Sequence, residues 1–335
     1  MTGLTAQQLD RAQGVLLGTA AGDALGAGYE FGPPLDDDVT VVMNGGGPFG
    51  WAPGEWTDDT SMALAIAEVA ASGADLRGEG AQDAVVARWA AWAVDASDVG
   101  AQTRQVLTAV RDGGPGQAGG SAARRDGRER PTGAAARARY AARGLHEASG
   151  RSAGNGSLMR TAPVALAYLG DPAGLAAAAA ALSALTHYDP EAGEACVLWC
   201  LAIRHAVLTG ELDARAGLAG LPAARRAGWA ARLTVAEQGR PRDFEQNGWV
   251  VHALQGAWSA IARTGPGTPG QPRLALEAAV RGGRDTDTVA AIAGGLAGAA
   301  SGAAAVPAGW REKVHGWPGL RADGLAELTV KIVGR

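Results

Sequence analysis

Glycine occupies every fourth position in two separate stretches of the chain: Gly14, Gly18, Gly22 and Gly26 near one end, and Gly294, Gly298 and Gly302 near the other. Both stretches otherwise read as helix, with apolar residues recurring at close to 3.6-residue spacing. A glycine inside a helix costs about 1 kcal/mol relative to alanine, so a whole row of them needs a compensating contact. Four-residue spacing puts the glycines on one face, and a face without side chains lets another backbone approach closely. The two rows predict two helices at the packed centre of the fold.

The same periodicity predicts helices over residues 9–26, 60–72, 83–94, 103–110, 163–168 and 175–185. Further helices are predicted over 190–209, 223–237, 248–263, 272–281 and 288–304, with Gly and Pro clusters between them. Aromatic residues make up only 5% of the chain and much of the apolar content is alanine, which favours close-packed helices over sheets. The best strand candidate, residues 39–43, is short. The expected fold class is therefore all-α, with one domain over residues 1–335. Residues 112–139 are rich in Gly and Arg and poor in large apolar side chains, and are expected to form a flexible loop. That loop is not a domain boundary, because the candidate site residues fall on both sides of it.

A net charge of -4 gives no electrostatic case for nucleic acid or an anionic membrane. The uncharged run 289–308 is mostly Ala and Gly, too weakly apolar for a membrane span, and reads as a core helix. The first residues show no basic segment followed by an apolar run, so a cytoplasmic location is expected. Cys196 and Cys200 sit four apart in a helical run and are expected to be buried and structural.

Chemistry is expected where two helices begin. Thr57-Asp58-Asp59-Thr60 opens one, and Asp285-Thr286-Asp287-Thr288 opens another. Asp and Thr are ordinary N-cap residues, but adjacent or alternating aspartates flanked by threonines exceed what a cap requires. Hard divalent cations take several oxygen ligands with carboxylates among them. If the clusters meet, two cations fit; if not, each is an independent cap.

The motifs GVLLGTAAGDALGAGYEF, GEWTDDTSMALAIAE, SDVGAQTR, GNGSLMRTAPVAL, THYDP, NGWVVHAL and GGRDTDTVAAIAGGLAGAASG follow one another in the chain. Their order resembles the ADP-ribosylglycohydrolase family, which includes the dinitrogenase reductase-activating glycohydrolases and the animal ADP-ribosylhydrolases. The resemblance runs from about Gly14 to Lys313. It implies an orthogonal all-α bundle with a binuclear Mg²⁺ or Mn²⁺ centre in a cleft that binds ADP-ribose. It also implies metal ligation by Thr57, Asp58, Asp59, Asp285, Asp287 and Thr288. Glu30 and Asp98 match family acids at the scissile bond, where an oxocarbenium-like transition state asks for a positioned carboxylate. Ser152, Gly154, Asn155, Gly156 and Ser157 match a loop that contacts diphosphate and ribose, and His187 a histidine lining the cleft. Asp23 is expected to support the site or cap its helix, and Trp249 to approach the adenine. The other histidines, His146, His205, His252 and His315, read as structural. Arg284 stands where many relatives have glycine, a change at the rim of the cleft.

The reading this supports is a hydrolase that releases ADP-ribose from a modified protein or other acceptor, with arginine as the first acceptor and serine, a nucleotide or a free metabolite as the others. Two other readings are a non-catalytic ADP-ribose-binding or crystallin-like protein on the same fold, and a metal-dependent nucleotide phosphohydrolase. The first would show eroded ligands, whereas both aspartate clusters are complete. The second would release AMP in place of intact ADP-ribose.

Overall fold

The computed structural model describes residues 3–112, 131–265, 267, 268 and 270–334. Among these residues the regular structure is almost all helical, as the composition predicts. The first half holds α1 (Ala6–Gly26), α2 (Asp58–Ala71), α3 (Glu79–Trp92), α4 (Ala101–Asp112), α5 (Ala134–Ser149), α6 (Pro163–Ala167) and α7 (Pro172–Ala184). The second holds α8 (Pro190–Thr209), α9 (Ala223–Gln238), α10 (Val250–Arg263), α11 (Gln271–Val280), α12 (Thr286–Ser301), α13 (Ala308–Lys313) and α14 (Ala322–Val333). The one ladder among the described residues pairs β1 (His315–Gly316) with β2 (Leu320–Arg321), antiparallel.

The two glycine rows meet. A Cβ added at Gly14 would collide with the carbonyl of Gly298, at Gly18 with that of Gly294, and at Gly22 with that of Ala290. At Gly26 it would come within 2.5 Å of the Asp287 backbone. As the number rises on α1 it falls on α12, so the two helices run antiparallel with their backbones in contact. This register brings the end of α1, with Asp23 and the turn to Glu30, against the beginning of α12, with Asp285 and Asp287. α1 is buried from Arg11 to Gly26 except at Gln13, and α12 from Thr286 to Ala299, which places the pair at the centre.

Other helices pack around that pair. α8 lies against both α1 and α12 and buries Cys196 and Cys200, both free thiols. The Cys200 thiol donates to the Thr161 carbonyl at 3.3 Å, and burial pushes both thiols up. α8 is also the one helix among the described residues long and apolar enough to cross a membrane, and 67% of that window is buried inside the protein. α2 packs on α1, α3, α6 and α14, while α9, α10 and α11 form a layer on the α12 side.

Three expectations need correction. Residues 39–43 form no strand: Val41 and Met43 are buried and Val39 and Val42 exposed, so the alternation is real but has no partner strand. The Tyr29 hydroxyl instead accepts from Val42 N at 2.9 Å and donates to Val42 O at 3.2 Å. The supposed loop 112–139 ends earlier, because residues 134–139 open α5. Alanine is the best helix former, and Ala135, Ala138 and Ala142 make a buried stripe, while Asp83 on α3 accepts from Ala135 N at 2.6 Å. Residues 113–130 of that segment lie outside the described residues. Gly302 lies outside helix α12, at φ 89°, and terminates it.

Candidate functional site

Neither acidic cluster acts as a conventional cap. Thr57 and Asp285 occupy the N-cap positions of α2 and α12, yet neither makes a side-chain capping hydrogen bond. The orphan N–H groups at the start of α2 are satisfied by other segments. Asp23, fully buried on α1, accepts from Thr57 N and Thr60 N, both at 2.9 Å, and from the Thr60 hydroxyl at 2.6 Å. Asp98, just before α4, accepts from Asp58 N at 2.7 Å. With its N-terminus held this way, α2 is free to present Asp58 and Asp59 to the centre, where the positive ends of two helices stabilise negative charge.

The two clusters converge. Asp59 Oδ2 accepts from Thr57 Oγ1 at 3.2 Å and, across 229 positions, from Thr288 Oγ1 at 3.3 Å. Oxygen atoms of Asp23, Asp59 and Asp287 lie within 4.8 Å of one another, and so do those of Glu30, Asp285 and Asp287. So many buried acids raise one another's proton affinity. Burial first, then neighbouring carboxylates, pushes Asp58, Asp59 and Asp287 well above the usual range. Burial raises Asp98 and Asp285 and takes Asp23 to about 6. Burial with the charges of Asp285, Asp98 and Asp23 takes Glu30 to about 8. Asp59 Oδ1 is buried and has no hydrogen-bond partner. Crowded carboxylates, threonine hydroxyls and an orphaned carboxylate oxygen are the donor set a hard divalent cation takes, so the residues fit such a cation.

Above these acids lies a cleft of about 400 Å³. Glu30, Asp58, Asp98, Asp285, Asp287 and Thr288 line it, together with Gly154, Asn155, Gly156 and His187. Thr57 and Asp59 stand behind that surface, buried. The Asn155 side-chain amide holds the centre together, donating to Asp285 Oδ2 at 2.7 Å and to the Asn247 carbonyl at 2.8 Å. His187 lies against the backbone of Gly154 and Gly156, where added Cβ atoms would meet its ring at 3.1–3.2 Å. Its Nδ1 faces the Thr186 hydroxyl at 2.7 Å, which itself accepts from the Arg160 guanidinium at 2.6 Å. Burial, with Arg160 nearby, takes His187 down to about 3, so the ring is neutral at physiological pH.

Two residues read as ligand contacts lie elsewhere. The Ser157 hydroxyl is fully buried and faces Ser183 at 2.9 Å and Cys196 at 3.5 Å, away from the cleft. Ser152 bonds His146 Nδ1 at 2.8 Å and lines a neighbouring groove of about 610 Å³. That groove shares Gln102 and Gly154 with the cleft and is walled by Trp249, so Trp249 approaches the site from the side.

Several contributors carry little signal in the sequence. Gln102 Nε2 donates to the carbonyls of Ser152 and Thr186 at 3.2 and 2.8 Å, tying α4 to both loops. Asn247 accepts from Asp285 N at 3.3 Å and donates to Gly283 O at 3.0 Å. Its Asn-Gly step, like that at Asn155, was the available cue. Arg160 is fully buried, its guanidinium 4.0 Å from the Trp89 ring centroid, and burial lowers it to about 9.

A family model described as ADP-ribosylglycohydrolase matches residues 4–334. The chain is 33% identical over 317 residues to the ADP-ribosylarginine hydrolase Tri1 of Pseudomonas putida (strain GB-1), covering 92% of this chain and 75% of that protein. It is 31% identical over 319 residues to the ADP-ribosyl-dinitrogen reductase glycohydrolase of Rhodospirillum rubrum, covering 91% and 90%. A solved structure described as an ADP-ribosylglycohydrolase-related protein complex superposes with a TM-score of 0.68 at 30% identity, covering 98% and 99%.

Proposed function

Because the chain belongs to the ADP-ribosylglycohydrolase family, we propose that it releases ADP-ribose from arginine side chains of modified proteins, at the cleft above the two aspartate clusters. It is a hydrolase of the glycosidic bond between ADP-ribose and an acceptor. The observation that carries the site assignment is the meeting of Glu30 with Asp285 and Asp287 on the floor of one cleft, with Asp59 bonded to Thr288 from behind it. Arginine as acceptor is supported by the relative that acts on ADP-ribosylarginine.

Thr57, Asp58, Asp59, Asp285, Asp287 and Thr288 would hold two divalent cations, Mg²⁺ or Mn²⁺, which when bound supply Lewis-acid polarisation and charge stabilisation at the ribose. The rest of the chemistry belongs to the protein's own side chains. Glu30 lines the cleft with no hydrogen bond from another group among the described residues, so its carboxylate is free to accept a proton. It is the group suited to direct water at the anomeric carbon. Asp98 has one oxygen held by Asp58 N, so it fixes the start of α2 while its carboxylate offsets the positive charge of an oxocarbenium-like state. Gly154 and Gly156, with no side chains, let the neutral His187 ring lie against the loop backbone, and the loop and ring together line the part of the cleft suited to the diphosphate. The groove bordered by Trp249 suits the adenosine end.

The test is incubation with arginine-linked and serine-linked ADP-ribosyl peptides, following free ADP-ribose. Preferential release from the arginine linkage is expected. Release from serine alone would overturn the acceptor assignment while leaving the hydrolase intact.

A further inference from the structure

The turn that carries Glu30 into the cleft is strained in an unusual way. Phe31 sits at φ 62° and Arg284, bridged to it through the backbone, at φ 65°. Left-handed backbone is the domain of glycine and is penalised for a residue with a Cβ, most of all a bulky one. Two short backbone hydrogen bonds maintain it: Phe31 N donates to Arg284 O at 2.6 Å and Arg284 N to Gly32 O at 2.7 Å. This bridge joins the loops bearing Glu30 and Asp285. Strain of this kind persists where the surroundings impose it and clusters at functional positions.

Its geometric consequence is the placement of a ring. Phe31 is 67% exposed, lines the cleft, and meets Phe49 edge-on with centroids 6.4 Å apart. Phe49 in turn leans on Trp51 at 6.0 Å. The cleft mouth therefore carries a small aromatic wall beside Glu30 and Asp98. Among the described residues, no Lys or Arg lines this cleft, and Arg284 is directed at Glu245, 3.7 Å away. Negative ring faces beside carboxylates suit a flat cation. A hydroxyl-linked acceptor has no charge to offer this wall, and an acidic one is repelled by it.

We infer that Phe31 and Phe49 form the acceptor-side wall of the site, against which the guanidinium of an ADP-ribosylated arginine lies. The inference rests on the arginine reading above and deepens it: these rings, together with the acids beside them, select the linkage. The wall acts on the acceptor and not on ADP-ribose, so the two halves of the substrate report on it separately.

The experiment compares wild type with Phe31→Leu, Phe49→Leu and Phe31→Tyr, all loaded with Mg²⁺. It measures kcat/KM on ADP-ribosylarginine, kcat/KM on a serine-linked ADP-ribosyl peptide, and calorimetric affinity for ADP-ribose. Each leucine variant is expected to lose about 2- to 30-fold in kcat/KM on the arginine substrate, the range for one cation–π contact. ADP-ribose affinity should move less than twofold, and Phe31→Tyr, which keeps the aromatic face, should keep the wild-type rate. Unchanged kcat/KM in both leucine variants overturns the wall, as does a parallel fall in ADP-ribose affinity. A wild-type enzyme that cleaves only the serine linkage overturns the acceptor reading and this inference together, whereas an arginine-active wild type with indifferent variants overturns this inference alone.

Discussion

At the scale of single residues, the site is a set of acids held close together by groups that are not themselves ligands. Asp23 and Asp98 cap α2 from elsewhere in the chain, and Asn155 and Asn247 fix Asp285. Asp58→Asn and Asp287→Asn should therefore lose divalent-cation binding and turnover yet remain folded. Because each removes a like charge from a buried cluster, both variants should melt at higher temperature than wild type in chelator at pH 8. Full metal content and full activity in either variant would remove that residue from the ligand set. Glu30→Gln and Asp98→Asn should differ in kind. Glu30 has no structural hydrogen bond, so its amide should keep ADP-ribose affinity and lose about 10²–10⁴-fold in single-turnover rate, the usual range for acid–base assistance. Asp98 also holds the Asp58 backbone, so its amide should weaken metal affinity as well. Equal, rate-only losses in the two variants would contradict that division. The two aspartate clusters were legible because acids at helix starts exceed what a cap needs, whereas Glu30, just past a turn, stood out only through the family resemblance. Phe31, Gln102 and Arg160 were not, since an exposed aromatic, a helical glutamine and a buried arginine acquire meaning only from what they face.

At the scale of elements, the antiparallel contact of α1 with α12 sets the register of the site. The glycine rows announced two central helices; that they bind each other, and in which direction, had to come from the structure, because spacing on one helix says nothing about its partner. Gly18→Ala places a Cβ against the Gly294 carbonyl. Overpacking of this kind costs about 1–3 kcal/mol, and the helices must separate at the point that aligns Asp23 with Asp287. The expected outcome is lower stability by chemical denaturation together with weaker metal binding. Gly228→Ala on α9 provides the contrast: an added Cβ there meets nothing within 4 Å, so the substitution should stabilise by up to about 1 kcal/mol. If both behave alike, the glycine rows reflect composition and not contact. α5 and α14 escaped the sequence reading for different reasons. The first begins inside an Arg- and Gly-rich segment, and the second packs its buried stripe of Leu325, Leu328 and Ile332 close to the end of the chain.

At the scale of the whole molecule, the centre trades stability for function. With the cations removed, Asp23 titrates at about 6 and Glu30 at about 8, against roughly 4 for the same groups in the unfolded chain. Between those values the folded state binds more protons than the unfolded one, so stability falls as pH rises. The metal-free protein should melt at progressively lower temperature from pH 5 to pH 8, and added Mg²⁺ or Mn²⁺ should raise the pH 8 value most, since ligation favours the deprotonated acids. A flat or rising profile in chelator would mean that neither burial nor neighbouring charge raises these acids. The all-α class, the paired clusters and the family were legible because they rest on periodicity and motif order. The cleft, its neutral histidine and its aromatic mouth depend on contacts between segments far apart in the chain. The central claim is that residues from both ends of the chain build one metal-dependent glycosidic-bond hydrolase, and product analysis by mass tests it most directly. ADP-ribosylarginine should yield intact ADP-ribose and unmodified arginine with Mg²⁺ present, and neither with chelator. AMP as the product, or undiminished release of ADP-ribose in chelator, would contradict the account.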